Sequence, residues 1–177
     1  MDIVGRKIGR YEVQEHIGEG GMAHVYRAFD PEISRTVAVK ILKEEHCEDE
    51  ERTSRFLREG KAAGALTHPN IVTVYDVGEI DNVPYIMMEL LEGKTLGDLG
   101  QERRFDLEAI MEIGIQLAAA LDYAHEHGVV HRDMKPDNIV LGPDGRSVKV
   151  APRRMHQRTS RKLIGRPPSS TCRGRRT

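Results

Sequence analysis

The feature that most constrains this chain is a change of apolar period near its middle. Over residues 11–42, short β-branched and apolar runs are broken by turn residues, notably the glycine cluster at 18–21 and "DPEIS" at 30–34. That pattern predicts three strands. Two further strand-type runs, in "NIVTVYDVGE" and "VPYIMMELLEG", flank "IDN", which reads as a hairpin turn. Between the two sets, "EERTSRFLREGKAAGAL" carries Phe56, Leu57, Ala63 and Leu66 at helical spacing, with charge on the remaining face. After Gly93 the period lengthens: "FDLEAIMEIGIQLAAALDYAHEHG" puts Ile110, Ile113, Leu117 and Leu121 on one stripe, with Gly128 placed to stop the helix. Two short runs, "IVL" and "VKV", joined by "GPDGRS", then predict a second hairpin. The expectation is an α+β chain: an antiparallel five-stranded amino-terminal part with one helix, then the start of a mostly helical part.

At 177 residues the chain can bury a real core. Its formal net charge of -1 averages two unlike segments: 18 Lys and Arg stand against 28 Asp and Glu up to Val150, and 9 against none after it. The stretch 151–177 has eight Arg, three Pro and few apolar residues, a composition that cannot bury enough surface to order itself. The two cysteines, Cys47 and Cys172, sit in unlike contexts, which argues against a disulfide framework and for a reducing, cytoplasmic setting. No apolar run approaches the roughly 18 residues of a membrane span, and charges are scattered through the start where a signal peptide needs an apolar stretch. No internal repeat is present.

Three motifs carry chemistry. "IGEGGMAHVYRA" sets glycines at a tight turn between two strands, where N–H groups can approach a phosphate closely. "VAVK" ends in Lys40 on the next strand, and the following helix offers Glu59, which could hold the ammonium toward phosphates. "HRDMKPDN" gathers Asp133, Lys135 and Asn138 in one polar loop: a carboxylate to orient a hydroxyl and take its proton, a cation for phosphate charge, and a carboxamide oxygen for a metal.

With these motifs in this order, the chain resembles a protein kinase of the Ser/Thr type, most of all the bacterial ones with "GEGGM" in the glycine loop. The resemblance runs from about residue 11 to 150. It implies a nucleotide-binding lobe at 11–92, a partial second lobe with the catalytic loop at 93–150, and a basic tail at 151–177. It further implies ATP and Mg²⁺ as cofactors and proteins bearing Ser or Thr as substrates. Gly18, Gly20 and Gly21 become the lid over the phosphates, Lys40 the partner of the α/β-phosphates and of Glu59, Asp133 the catalytic base and Asn138 a magnesium ligand. Ile17, Val25, Ala38 and Val140 would sandwich adenine, with Met88 as gatekeeper before a hinge of Glu89, Leu90 and Leu91. Lys135 tips the substrate toward Ser/Thr.

Two departures stand out. Ala23 replaces the third glycine of the loop. After "VKV" the family pattern asks for Asp-Phe-Gly, whose aspartate holds magnesium, and this chain reads "APRRM" with no Asp or Glu beyond Val150. The expectation is a reading frame interrupted near Val150, an impaired kinase, and an apolar stripe on the long helix lacking packing partners; the other frames of the DNA downstream would then carry the missing motif. Two other readings stay open: a nucleotide-binding scaffold without catalysis, and a kinase-like module whose basic tail binds nucleic acid or an anionic surface. Nucleic acid is not the favoured partner, since the tail lacks interleaved aromatics. A metal site from His125, His127 and His131 is disfavoured because positions two apart on a helix diverge.

Overall fold

The computed structural model describes residues 3–102, 104–151 and 156–157. Apart from Ala151, His156 and Gln157, the basic stretch 151–177 therefore lies outside the described residues, as does the position where the metal-binding aspartate is expected.

Six strands form one antiparallel sheet in the order β1-β2-β3-β4-β6-β5: β1 (Lys7–Ile8), β2 (Tyr11–Glu19), β3 (Ala23–Asp30), β4 (Arg35–Leu42), β5 (Val74–Ile80) and β6 (Val83–Glu89). Five are those expected, and the sixth, β1, is a two-residue strand on the edge beside β2. The β5–β6 hairpin closes through Asp81 and Asn82, both at positive φ (51° and 63°), as a two-residue type I′ turn requires. A one-turn helix α1 (Glu44–Cys47) precedes α2 (Glu50–Gly64), which starts where the Asp49 side chain accepts from Glu51 N and Arg52 N.

Strand alternation gives the sheet two unlike faces. Tyr11, Val13, Tyr26, Val39, Ile41 and Met87 form a core on the outer face, under Ile3 and Ile8. On the inner face Ala23, Leu42 and Ile86 pack on Phe56 of α2. Helix and sheet are so close at Gly60 that an added Cβ would stand 2.9 Å from Ile86 Cγ1 and 3.0 Å from Val77 Cγ2.

The second part begins with β7 (Lys94–Thr95) and α3 (Leu96–Glu102), which the periodicity did not signal. Then comes α4 (Leu107–Glu126), capped by Asp106 Oδ1 on Ala109 N and terminated at Gly128 (φ 74°). After β8 (Val129–Val130) and a 3₁₀ turn at Pro136–Asn138, the strands β9 (Ile139–Leu141) and β10 (Val148–Val150) make the expected hairpin, and β11 (His156–Gln157) pairs with β8. Ile113 of α4 packs on Ile139, Leu141 and Val148; Ala120 and Ala124 join Ala62, Ala63 and Leu66 in a core that ties α4 to α2. The helix is apolar on its other side too. Leu107, Ile110, Met111 and Ile115 are 54–72% exposed, so Ile110 belongs to the outer stripe and not with Ile113 and Leu117.

Candidate active site

The glycine turn joins β2 to β3, with Gly18 opposite Val25 and Gly20 N donating to Ala23 O at 2.8 Å. Among the described residues, none of Gly18, Gly20 and Gly21 adopts positive φ, and a Cβ on Gly21 would meet nothing within 4 Å. Neither backbone angle nor internal packing demands glycine there. What its absence of side chains leaves is close approach to the turn's backbone, where the Gly20 N–H is already engaged by Ala23 O.

In β4, Lys40 lies in register with Val25 of β3 and Ile86 of β6, so it points to the α2 side of the sheet. Its Nζ stands 5.3 Å from the Phe56 ring centroid, and Glu59, one helical turn beyond Phe56, is 7% exposed. Ala38, Val72 and Met88 form the neighbouring apolar cluster, with Val25, Leu90, Leu91 and Ala151 packed against it. Val25, Ala38, Met88 and Leu91 are thus brought together. Ile17 is 43% exposed and outside this cluster; Val140, half-buried on β9 opposite Lys149, is also outside it.

Glu89 is held through its carboxylate. Its Oε2 accepts from Lys149 Nζ at 2.7 Å and from Thr73 N at 3.3 Å, bracing the strand exit against β10. A second brace, also unforeseen, runs through Asn70: its Nδ2 donates to Gln116 Oε1 and to Val148 O, both at 2.8 Å. Gln116 Oε1 also accepts from Val148 N, and Gln116 Nε2 donates to Arg146 O. "THPN" carried this signal, though it reads from sequence only as a helix stop.

The polar loop 131–138 is built on two buried side chains. His131, 2% exposed, shares a hydrogen bond with Ala151 O (3.1 Å) and accepts at Nδ1 from Asp133 N (3.4 Å). Burial pushes its imidazole below the usual range, opposed by the bond to Ala151 and by the Asp133 charge. Asn138 is fully buried and donates from Nδ2 to Asp133 O (2.6 Å) and Asp133 Oδ2 (3.2 Å). Its Oδ1 is buried with no hydrogen-bond partner, an orphan of the kind that calls for an explanation. Lys135 is exposed, 4.0 Å from Asp137 Oδ2. Arg132, at φ 59°, makes the sharp bend that sets His131 inward and Asp133 beside Asn138.

His125, His127 and His131 are not brought together as a ligand set. His127 Nδ1 is engaged with Tyr123 O at the end of α4, and among the described residues there is no group of three or more His, Cys, Asp or Glu that could hold a metal. No described helix is long and apolar enough to cross a membrane.

The protein kinase domain model matches residues 11–152. The chain is 48% identical over 136 residues to a protein of Clostridium acetobutylicum named a probable serine/threonine-protein kinase, covering 76% of this chain and 21% of that one. It is 42% identical over 150 residues to serine/threonine-protein kinase PrkC of Bacillus subtilis, with 84% and 23% covered. The chain thus spans about a fifth of the length of these curated relatives. Among solved structures, the PknI kinase domain of Mycobacterium tuberculosis matches with a TM-score of 0.74 at 31% identity, over 84% of this chain and 59% of that one. Motif order, a sheet with α2 packed on its inner face, and the braced loop agree with these likenesses: the chain belongs to the protein kinase domain family.

Proposed function

We propose that this chain binds a nucleoside triphosphate between the glycine turn and the loop 131–138, and that it carries the apparatus of a serine/threonine kinase without the means to run it at an ordinary rate. The glycines of the turn, needed neither for φ nor for packing, suit close approach of phosphates. Val25, Ala38, Met88 and Leu91 offer the apolar walls for a base, and Lys40 and Lys135 the compensating charge. Asp133 is the group to orient a Ser or Thr hydroxyl and accept its proton, with Asn138 fixing its carboxylate. The two parts 11–92 and 93–150 would act as the two walls of this site.

Magnesium fits only in part. Asn138 Oδ1 is a buried, unpartnered hard oxygen. A divalent ion bridging phosphates is normally anchored by a carboxylate as well, and after Val150 the sequence reads "APRRM", with no Asp or Glu among residues 151–177. No catalytic step is therefore routed through the metal. The absent carboxylate is the observation that carries the proposal. If loss of one charge-stabilising group costs about 10²- to 10³-fold, a turnover of about 1–100 s⁻¹ falls to roughly 10⁻³–1 s⁻¹. A cytoplasmic location, as the free Cys47 suggests, is part of the same reading.

A titration with a fluorescent ATP analogue tests the binding half. Lys40→Met should weaken binding about 10- to 100-fold, the range of a charge-assisted hydrogen bond, and chelating magnesium should alter affinity by less than about threefold because one neutral ligand holds the ion poorly. Binding indifferent to Lys40, or collapsing on chelation, would contradict the proposal.

A further inference from the structure

The one-turn helix α1 holds an imidazole between two unlike partners. His46 Nδ1 lies 2.6 Å from Arg52 Nη1 of α2, and Nε2 lies 3.4 Å from Gly21 O of the glycine turn. A guanidinium can only donate and a carbonyl oxygen can only accept. Both contacts therefore demand the same neutral ring, with its proton on Nε2 and none on Nδ1. The ring is largely shielded, its side chain 13% exposed. Arg52 is aimed in turn by Asp49, whose Oδ2 lies 2.9 Å from Arg52 Nε while Oδ1 caps α2. A line of polar contacts thus runs from the start of α2 through Arg52 and His46 to Gly21. Beside it, Lys43 N donates to Met22 O at 3.0 Å.

We propose that His46 is a positioning residue for the glycine turn: kept in the Nε2–H form by Arg52, it ties Gly21 to α2, and a second proton on the ring undoes the tie. With Nδ1 protonated, ring and guanidinium can each only donate, so the Arg52 contact is lost. The charged groups facing the ring decide where it goes. Lys43 and Glu19 are paired with each other, and Asp49 is engaged by Arg52 and by the N–H groups of Glu51 and Arg52. Glu45 Oε1, 3.6 Å from Nε2, is the carboxylate that draws the imidazolium off Gly21 O. The bearing of this tie on nucleotide affinity rests on the function proposed above; the tie itself does not.

Histidine labelled with ¹⁵N in the full chain reads the ring directly, its signal assigned by the loss in His46→Gln. At about pH 8, above the ordinary imidazole range, wild type should show a protonated Nε2 and a bare Nδ1. Arg52→Met, exposed and keeping the aliphatic stem, should give mixed tautomers. Amide exchange at Gly20 and Lys43, whose N–H groups donate to Ala23 O and Met22 O, reads the turn. It should quicken about 2- to 10-fold in His46→Ala, the range of one hydrogen bond, and recover in His46→Gln, which can still donate to Gly21 O. Between about pH 8 and 5.5, protection of these two amides, corrected for intrinsic exchange, should fall in wild type and not in His46→Gln. A fluorescent ATP analogue should bind His46→Ala about 2- to 10-fold more weakly than His46→Gln. A protonated Nδ1 at pH 8, tautomers unmoved by Arg52→Met, or unchanged exchange in His46→Ala would overturn the positioning role. Protection in wild type that ignores pH would overturn the proton link. An analogue that fails to bind wild type would sink the nucleotide reading alone, with ring and exchange still deciding the tie.

Discussion

Asn70→Ala is the sharpest test of how the segment between α2 and β5 is tied to α4 and β10. Asn70 Nδ2 makes two hydrogen bonds of 2.8 Å, to Gln116 Oε1 on α4 and to Val148 O on β10. Asn70 O meanwhile accepts from Val150 N at 2.9 Å and is untouched by the substitution. Two half-buried hydrogen bonds at about 0.5–1.5 kcal/mol each put the loss at about 1–3 kcal/mol. Gln116 Oε1 keeps its bond from Val148 N, so only the shared bond couples the two side chains. A cycle with Gln116→Ala should then show an interaction energy of about 0.5–1.5 kcal/mol. The chain has no Trp, so urea unfolding is best followed by far-ultraviolet circular dichroism. With a slope of about 1–3 kcal/mol/M, the midpoint for Asn70→Ala should fall by roughly 0.3–3 M. A shift below about 0.2 M, or strict additivity with Gln116→Ala, would refute the idea that this brace joins sheet, helix and loop.

Gly60→Ala sets helix propensity against packing: the gain of about 1 kcal/mol should be outweighed by overpacking of about 1–3 kcal/mol, because the new methyl meets Ile86 and Val77 at 2.9–3.0 Å. A variant more stable than wild type in the same urea assay would contradict the close approach of α2. His131, held below its ordinary pKa by burial, takes up a proton more readily in the unfolded chain, so stability should fall as pH drops below about 6.5. His131→Asn should lose less stability than wild type between about pH 7.5 and 5.5; equal losses would contradict a buried neutral imidazole.

Strand runs and the two hairpins were legible because alternation and turn chemistry are local. Asp81 and Asn82 take left-handed angles where "IDN" stands, and Gly128 ends α4. The short β1 and α3 were not legible: two residues carry no period, and "LGDLGQE" has two glycines and two apolar positions. On α4 the apolar residues run nearly all round, so period alone could not decide that Ile113 faces in and Ile110 out. The nominated base-binding residues Val25, Ala38, Met88 and Leu91 share one cluster, since strand register fixes which side chains share a face. Braces such as Asn70 to Gln116, 46 positions apart, and Glu89 to Lys149, 60 apart, leave no periodic trace. Asn138 reads as a metal ligand from its motif; its donation to Asp133 appears only in three dimensions.

Transfer of labelled γ-phosphate from ATP to a protein acceptor, run on preparations that bind nucleotide in a Lys40-dependent way, tests the central claim most directly. The account predicts turnover no faster than roughly 10⁻³–1 s⁻¹ despite that binding, because residues 151–177 offer no carboxylate to anchor the metal. Turnover well inside the ordinary range of about 1–100 s⁻¹, abolished by Asp133→Asn, would contradict it.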